Sequence, residues 1–590
     1  MNDARSWVDR LRDRKVVQWT LLYVAGAWLV LEVTDFLSGT FSWPAIVVRS
    51  LTVLAAVGLA ATIVVAWFHG ERGNQRVTPL EVVVLAALGA VAVAGVAILG
   101  PGAGPDPLSA DPEAAAPDPD GAPTRPGIAV LPFDNLSGDP EDDYFGLGIT
   151  EEIIAHLARL DGLLVIARSS VVPFAGQSPR VVARELGVSH VLTGTVQRSA
   201  QRVKVTTALV DPASGAQVWG EQFDRERADI FAIQADVARA VASALDVAVS
   251  EAVAARIDRS PTASEDAFEL VLRGREAWNR RTGPEVSRAI ELLERAVELD
   301  SAYADAWGAL STSYAILPAY TQASRAAAYP RGLAAAERAL ALDSTVAEAH
   351  SARGYMRMGD WPADRVETEF RRALELSPGF ATGHHWYAVW LIGRGRFDEA
   401  RDRLREAARL DPRSLVIATE LGWPDYFAGR FRDALAAFQA VLREHPDFEL
   451  AWELTWGALE LSGAYREAAE AARETVVLKG QPPQVGAEIE ADLLAAFERD
   501  GAVGYWTERM AWLDRLGSGS TFLTTAVYAA GIQARAGDVD AAFRTLDRAL
   551  EEGDPFLFFV HVDPALDPLR ADPRITSILD RSGFEPLRSH

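Results

Sequence analysis

The stretch from Leu415 to Pro446 reads LVIATELGWPDYFAGRFRDALAAFQAVLREHP, and its landmarks recur along the chain every 34 residues. Glycine followed by Arg or Ala and then by an aromatic residue stands at 395–397, 429–431 and 463–465. Proline stands at the same interval at 378, 412 and 446, and Gly480 takes the next place in that series. A period this strict indicates stacked copies of one supersecondary unit.

Each unit is predicted to contain two helices. In the quoted copy, Leu415 to Ala428 forms the first helix, Gly429 interrupts it, and Phe431 to Glu444 forms the second. Pro446 ends the second helix because proline has no amide proton and restricts the residue before it. Small residues stand where two helices would cross closely, and larger apolar ones fill the groove between them: Ala400, Ala434, Ala373, Ala407, Gly354 and Gly422 in the first set, and Phe370, Leu404 and Phe438 in the second.

These positions resemble the tetratricopeptide repeat (TPR), a 34-residue pair of helices with small, aromatic and proline residues at matching places. The copies are uneven, since the large first-helix position holds His350, His384 and Ala418 before it holds Trp452. The resemblance implies an all-α TPR superhelix over residues 266–590 whose last helices cap the stack. Another kind of α-solenoid is the alternative.

Composition narrows the classes of function. The chain has 590 residues, 49% of them hydrophobic, and a mean hydropathy of +0.03, which predicts several domains. No cysteine is present, so disulfides, thiolate metal sites and cysteine nucleophiles are excluded. Residues 1–100 carry eight basic and seven acidic side chains, which leaves 50 against 75 in the remainder. A body this acidic repels phosphate backbones, so no nucleic-acid partner is expected.

The first hundred residues predict a membrane anchor. Three apolar runs, at about 16–37, 45–68 and 80–99, approach the length of ~20 residues that a transmembrane helix needs. The distribution of basic residues predicts a multi-pass protein of the inner membrane whose C-terminal region is periplasmic. A cleaved signal peptide is a competing interpretation, and the side reverses if residues 16–37 lie on the membrane surface. Residues 101–126 contain eight prolines and predict an extended linker.

Residues 127–255 predict a mixed-sheet α/β domain. Short apolar strands at 128–133 and 163–167 alternate with helices at 150–160, where Thr150 is the expected N-cap, and at 181–186. Three strands follow, at 190–198, 203–211 and 216–223, and their alternation suits a sheet with one wet face. A long helix at 230–255 closes the unit.

Separated motifs in this part resemble the TolB amino-terminal-like (FlgO-like) domain of bacterial envelope and signalling proteins. They are IAVLPFDNLSGD at 128–139, GITE at 148–151, ARELGV at 183–188, GTV at 194–196 and WGEQFD at 219–224. Members of that family often lie beside TPRs and behind a membrane segment, or next to a winged-helix, adenylate-cyclase or kinase module. The resemblance implies an interaction or sensory role and brings no catalytic residues with it.

Three motifs are weak candidates for chemistry. Gly146-Leu147-Gly148 lacks the third glycine or the Gly-Lys-Ser/Thr of a phosphate loop, which favours an ordinary helix entry. The carboxylates of Asp139 and residues 141–143 lack the spacing of a calcium loop, which favours a solvated turn. His384 and His385 are neighbours that face different directions on a helix, so one packs and one is wet. No catalytic residue, cofactor site or metal site is predicted.

One surface of the predicted superhelix remains as a binding site. When the ligand-facing first-helix positions of the TPR are carried onto the 34-residue register, they fall on six residues that we call the concave wall: Tyr355, Met358, His385, Trp423, Tyr426 and Glu453. Aromatic side chains beside polar groups are what a peptide-binding groove presents. The alternative is that these aromatics pack against the neighbouring repeat.

The sequence therefore predicts a non-enzymatic, membrane-anchored adaptor: transmembrane helices, then an α/β domain, then a TPR superhelix that binds a protein or peptide. A sensory or regulatory input component of a signalling system, linked to an adenylate cyclase, a kinase or a transcription regulator, is the alternative. An enzyme of unrecognised type is the third interpretation.

Overall fold

The computed structural model describes residues 125–582, apart from 139–142, 200, 227–228, 322, 360–361, 517–522, 524 and 553, and also Thr20, Tyr23 and Thr62. The chain divides into two compact units, Met1–Asp120 and Gly121–His590, and nearly all described residues belong to the second. This described part is mostly helical, with 22 α-helices and one small sheet of six strands.

The sheet combines parallel and antiparallel strands. Its order is β3-β1-β4-β5-β6, with β2 paired to β4 off that path. β1 is parallel to β3 and β4, β2 is parallel to β4, and the β4–β5 and β5–β6 pairs are antiparallel. Along β5 the apolar residues alternate with polar ones, and the apolar set is buried. The strands are β1 (Gly127–Val130), β2 (Asp134–Asn135), β3 (Leu164–Val165), β4 (His190–Arg198), β5 (Arg202–Val210) and β6 (Gln217–Glu226).

Five helices accompany the sheet, and the first differs from its prediction. It begins at Asp143, so Thr150 lies inside the helix and is not its N-cap. The Thr150 hydroxyl donates to the Gly146 carbonyl at 2.9 Å and accepts from the Phe133 amide at 3.1 Å, which ties the helix to the sheet. The predicted helix 230–255 is divided into two. The five are α1 (Asp143–Leu157), α2 (Arg168–Val171), α3 (Pro179–Leu186), α4 (Ile230–Ala244) and α5 (Glu251–Ile257).

Paired helices follow the sheet, and the 34-residue register of the sequence is present in them. The early helices are α6 (Glu265–Asn279), α7 (Gly283–Leu299), α8 (Ala304–Tyr320) and α9 (Arg325–Leu342). The regular pairs are α10 (Ala347–Met356) with α11 (Ala363–Leu376), α12 (Ala381–Gly393) with α13 (Phe397–Leu410), α14 (Leu415–Glu420) and α15 (Trp423–Phe427) with α16 (Phe431–Glu444), and α17 (Glu449–Ser462) with α18 (Tyr465–Leu478). The last are α19 (Pro483–Leu516), α20 (Ala526–Arg535), α21 (Val539–Glu552) and α22 (Arg574–Arg581), with 3-10 helices at Pro555–Phe559 and Pro564–Leu569.

The landmark glycines separate the two helices of a pair. Gly395, Gly429 and Gly463 have φ of 69°, 72° and 85°, a left-handed conformation that glycine adopts without steric cost and that ends a helix. The predicted groove-filling side chains Phe370, Leu404 and Phe438 are fully buried, as are the predicted small residues of the second helices, Ala400 and Ala434. The helical repeats predicted from the register are therefore confirmed.

The sheet region lies along the turns that join successive repeats. Thr262 donates to the Asp300 carboxylate at 2.5 Å, and the Gly379 amide donates to the Ala158 carbonyl at 2.9 Å. One repeat further, the Ala167 amide donates to the Leu410 carbonyl at 2.7 Å. The hydroxyl of Ser170 donates to Asp411 at 2.5 Å and that of Ser169 at 2.8 Å. Arg259 also pairs with Asp343. The equivalent turns of successive repeats therefore form the edge of the stack that contacts the sheet region.

A continuous apolar core crosses from the sheet region into the first repeats. Phe268 and Leu272 of α6 belong to the same buried cluster as Ile149 and Ile153 of α1. A Cβ atom added to Gly148 would lie 2.5 Å from Leu272 Cδ1, so the glycine permits the close approach of the two helices. The predicted domain boundary between residues 255 and 266 stays a prediction. Across it, buried apolar side chains join the sheet region to the first repeats.

Charged groups surround this apolar contact. The guanidinium of Arg275 lies 2.6 Å from Glu348, 3.8 Å from Glu152 and 3.9 Å from Glu151. Burial raises the pKa of Glu152 to about 7, against the attraction of Arg275, and the charges of Asp305 and Glu151 add to the rise. Ionised Glu152 therefore costs the fold free energy at neutral pH.

The structure corrects two predictions. The fold class that began with transmembrane helices is wrong: the described chain is mostly helical with a small sheet region, and no helix in that part is both long and apolar enough to cross a bilayer. Even the longest, α19, carries charged residues along its length and is kinked at Gly501. The predicted location as a multi-pass protein of the inner membrane is overturned by the same finding. The runs at 16–37, 45–68 and 80–99 themselves fall outside the described residues, save Thr20, Tyr23 and Thr62.

Candidate functional site

Five of the six residues of the concave wall lie on the first helices of successive repeats, Met358 lies in the turn that follows α10, and the six differ in exposure. Tyr426 is 0% exposed and Glu453 is 4% exposed, so neither is available to an incoming ligand. Tyr355, Met358, His385 and Trp423 are only partly buried. The structure thus divides the predicted site into a covered part and a partly open part.

Trp423, in the partly open part, is contacted by a remote stretch of the same chain, Asp554–Val562, which we call the covering segment. The ring of Phe559 stacks on Phe427 at 4.9 Å between centroids and meets Trp423 edge-on at 6.2 Å. The ring of Phe558 fills the space beside Gly393 that a side chain there would need. Two adjacent aromatic side chains of the segment therefore lie on Trp423 of the concave wall and on the neighbouring Phe427 and Gly393.

A buried polar network closes the next part of the wall. The carboxylate of Glu460 accepts from Tyr528 at 2.7 Å, from Tyr505 at 3.0 Å and from Arg509 at 3.3 Å. The guanidinium of Arg509 lies 4.0 Å from the centroid of the Trp456 ring. Burial, followed by the charge of Glu460, raises the pKa of both tyrosines well above its usual value. This network fixes α19 and α20 against α17.

Sequence reasoning missed Glu460, although a signal was present. Glu460 stands 34 residues after Tyr426, so both occupy the same place in the register. A carboxylate at that place in the apolar helix ELAWELTWGALELS requires buried partners, because an unpaired charge cannot be buried cheaply. The nearby predicted residue Glu453 has partners as well: it accepts from the Leu523 amide at 2.9 Å and from Lys479 at 3.0 Å.

The partly open part of the wall combines aromatic and polar groups. His385 Nε2 donates to Glu420 at 2.6 Å, and the charge of Glu420 acts on the Tyr355 hydroxyl, whose pKa burial raises. The Tyr355 ring lies 4.6 Å from that of Trp386. These contacts bring Tyr355 and His385 together on one surface, with Trp423 one helical turn beyond Glu420.

The two adjacent histidines have different environments. His384 is 4% exposed and donates from Nε2 to the Pro378 carbonyl at 2.9 Å, whereas His385 is less buried and pairs with Glu420. Burial lowers the pKa of His384 to about 4, so its ring is neutral at pH 7. A cavity of about 490 Å³ lies beside His384, and its charged lining is mixed in sign: Arg125, Asp402, Arg403, Glu406 and Arg409. In the described part of the chain, no cluster of three or more His, Asp or Glu side chains is arranged to hold a metal.

Comparison with known proteins gives partial matches. No protein-family model matches the chain. Putative adenylate cyclase 3 of Rhizobium meliloti (strain 1021) is 39% identical over 202 residues, which are 34% of this chain and 34% of that protein. This chain therefore matches about a third of the length of that relative.

Several of the solved structures that overlap with this chain are proteins of helical repeats. Yeast Tom70 overlaps with 60% of this chain and 82% of its own, at 12% identity and a TM-score of 0.33. A tetratricopeptide repeat protein from Parabacteroides merdae ATCC 43184 overlaps with 54% of this chain and 100% of its own, at 11% identity and a TM-score of 0.30. The TM-scores of these overlaps are low, so the assignment of helical repeats rests on the register and the paired helices of this chain.

Proposed function

We propose that this chain is a non-enzymatic adaptor that binds a protein or peptide partner through the partly open part of the concave wall, at Tyr355, Met358, His385 and Trp423. One observation carries the proposal: aromatic side chains with residual exposure lie beside a hydrogen-bonded His385–Glu420 pair on the first helices of the stack. A partner that covers Tyr355 and Trp423 buries apolar surface, and the polar His385–Glu420 pair orients the bound partner.

The sheet region, which we propose to be a TolB amino-terminal-like domain over residues 127–255, holds the stack of repeats in one curvature. Support comes from its contacts with the turns near Ser377 and Asp411, and from Arg259 and Thr262 just after it, which contact Asp343 and Asp300. A partner that spans several first helices has to match the spacing between them. Because the sheet region contacts the turns at the opposite ends of the repeats, it fixes this spacing before the partner binds.

Site-specific photo-crosslinking tests the adaptor proposal. A benzoylphenylalanine at Met358 should capture one protein from cells of the source organism, and the same residue placed at the exposed Glu399 should not. The capture should disappear when His385 is replaced by Ala and should survive Glu375→Ala on the second helix of a neighbouring repeat. Binding of the purified partner that does not respond to His385→Ala would contradict the proposal.

The signalling alternative has one observation in its favour, the 39% identity over 202 residues to a relative named as a putative adenylate cyclase. Under this second proposal the chain is the input part of a system whose output is a cyclase. Incubation of the purified chain with ATP and Mg²⁺ distinguishes the interpretations, since we expect no cyclic AMP from the adaptor. Production of cyclic AMP that scales with chain concentration would replace the adaptor by an enzyme.

A further inference from the structure

The covering segment has the features of a ligand that is carried in the chain itself. Its backbone hydrogen bonds are local: the Leu557 amide donates to the Asp554 carbonyl at 3.1 Å and the Val560 amide donates to the Leu557 carbonyl at 3.0 Å. The Asp554 carboxylate caps this turn by accepting from the Phe556 amide at 2.8 Å. The turn is therefore formed within the segment, and side chains make its contacts with the wall.

Those side chains occupy three places on the stack. Phe559 lies on Trp423 and Phe427, and Phe558 lies against Gly393, one repeat earlier. Further along, the Phe556 ring lies 5.5 Å from the guanidinium of Arg325, which also faces Tyr329 at 5.6 Å. A short peptide with aromatic side chains in this order would meet the same surfaces.

We propose that the partner of the concave wall carries an acid-proline turn followed by two adjacent aromatic residues, and that it competes with the covering segment for Gly393, Trp423 and Phe427. This inference rests on the adaptor function and specifies its ligand and its regulation. While the segment is bound, it excludes the partner from Gly393, Trp423 and Phe427. Displacement of the segment adds Gly393 and Phe427 to the partly open part of the wall and lengthens the binding surface.

The absence of cysteine allows segment release to be measured directly. Val562→Cys would place the only thiol at a side chain that is 6% exposed and packed in the wall-side cluster. Val205→Cys is the matched control, because this residue is 0% exposed in a separate cluster around the sheet that includes no residue of the covering segment. The rate at which Ellman's reagent modifies each thiol then reports local opening.

The probe is a synthetic peptide with the sequence DPFLFFVHV of residues 554–562, and its control has Ala in place of both Phe558 and Phe559. The peptide should accelerate modification of Val562→Cys at least tenfold and leave Val205→Cys unchanged, whereas the control peptide should accelerate neither. Equal acceleration of both thiols would mean global unfolding and would overturn the proposal. No acceleration of Val562→Cys at millimolar peptide would also overturn it.

Phe558→Ala gives a second measurement on the full chain. Removal of this ring weakens the internal segment and leaves a gap on the wall, so labelled DPFLFFVHV should bind this variant at least tenfold more tightly than it binds the natural chain. Equal affinities would overturn the proposal. Dimers of the variant, seen by size-exclusion chromatography without peptide, would instead assign the wall to a second copy and overturn a peptide partner.

The outcomes also separate this inference from the adaptor function itself. Capture at Met358 that depends on His385 but is unaffected by DPFLFFVHV would leave the adaptor standing and overturn only the proposed ligand. Loss of that dependence, with or without a peptide effect, would remove the adaptor site on which the inference rests.

Discussion

The ring of Phe559 stacks on the ring of Phe427 with 4.9 Å between centroids and 16° between planes. The two residues are remote in sequence, and their contact converts an expected open wall into a covered one. Because Phe427 directly follows Tyr426 on the same short helix, the contact also bears on the predicted binding residue Tyr426.

Tyr426→Ala should lower the free energy of unfolding by about 3 to 5 kcal/mol, as large-to-small changes in a core do. The ring is 0% exposed and lies 5.3 Å from Phe427 and 5.8 Å from Phe431 between centroids. Met358→Ala should cost less than about 2 kcal/mol, because that side chain is only partly buried. Urea unfolding of both variants checks the difference. Equal small losses would return Tyr426 to the list of ligand contacts.

Arg509→Met should destabilise the fold by about 3 to 5 kcal/mol, because it leaves the buried Glu460 carboxylate without its cation. The two side chains are 1% and 0% exposed. Adding Glu460→Gln to Arg509→Met should recover at least about 1 kcal/mol, since the amide still accepts hydrogen bonds without carrying charge. Unfolding free energies of the two single variants and the double variant form the measurement. Additive losses would show that the pair is not coupled.

Glu152→Gln should stabilise the fold at high pH and have little effect at low pH. Burial raises the pKa of Glu152 from 4.5 to about 7 in the fold. Between these values the folded state holds the proton more tightly than the unfolded state, so this group's contribution to stability falls as pH rises and is lost above pH 7. At pH 8 the Glu152→Gln variant, whose side chain is an uncharged amide, should therefore be more stable than the natural chain by up to about 3 kcal/mol, the free energy that a pKa rise of this size represents.

Urea unfolding of Glu152→Gln and of the natural chain at pH 4.5 and pH 8 measures this difference. Glu375→Gln is a suitable control because its side chain is 64% exposed, and it should change stability by less than about 0.5 kcal/mol at both pH values. A Glu152→Gln effect that is the same at pH 4.5 and pH 8 would show that the carboxylate is not desolvated.

Leu272→Ala should weaken the sheet as well as the repeats. Leu272 belongs to α6 but shares a buried cluster with Val203, Val205 and Leu209 of β5. The loss should be about 2 to 5 kcal/mol, and amide hydrogen exchange in β5 should accelerate with that in α6. Leu546→Ala, in a separate cluster of the last helices, should leave exchange in β5 unchanged. Unaltered exchange in β5 of Leu272→Ala would favour independently folding parts.

The helical repeats followed from local sequence pattern, and so did the expectation that one of the two adjacent histidines packs in the interior. Gly395, Gly429 and Gly463 interrupt helices through their own backbone conformation, and Ala400 and Ala434 are small where helices cross. Such signals depend on residues that are close in sequence, so they can be recognised without knowledge of the tertiary structure. Thr150 shows the limit: its hydroxyl has the chemistry of a cap, but its partner is the amide of Phe133, in the link between β1 and β2.

The binding residues depended on contacts that no local pattern encodes. The sequence alone determined which residues stand at matching places of the register, Tyr355 with Trp423, Met358 with Tyr426 and His385 with Glu453, and it predicts that they share one wall. Only the tertiary structure decided that Tyr426 and Glu453 are covered while Tyr355 and His385 keep some exposure. The physical reason is that burial is a property of what lies opposite a side chain, and here that is a remote stretch around Leu523, Tyr528 and Phe559.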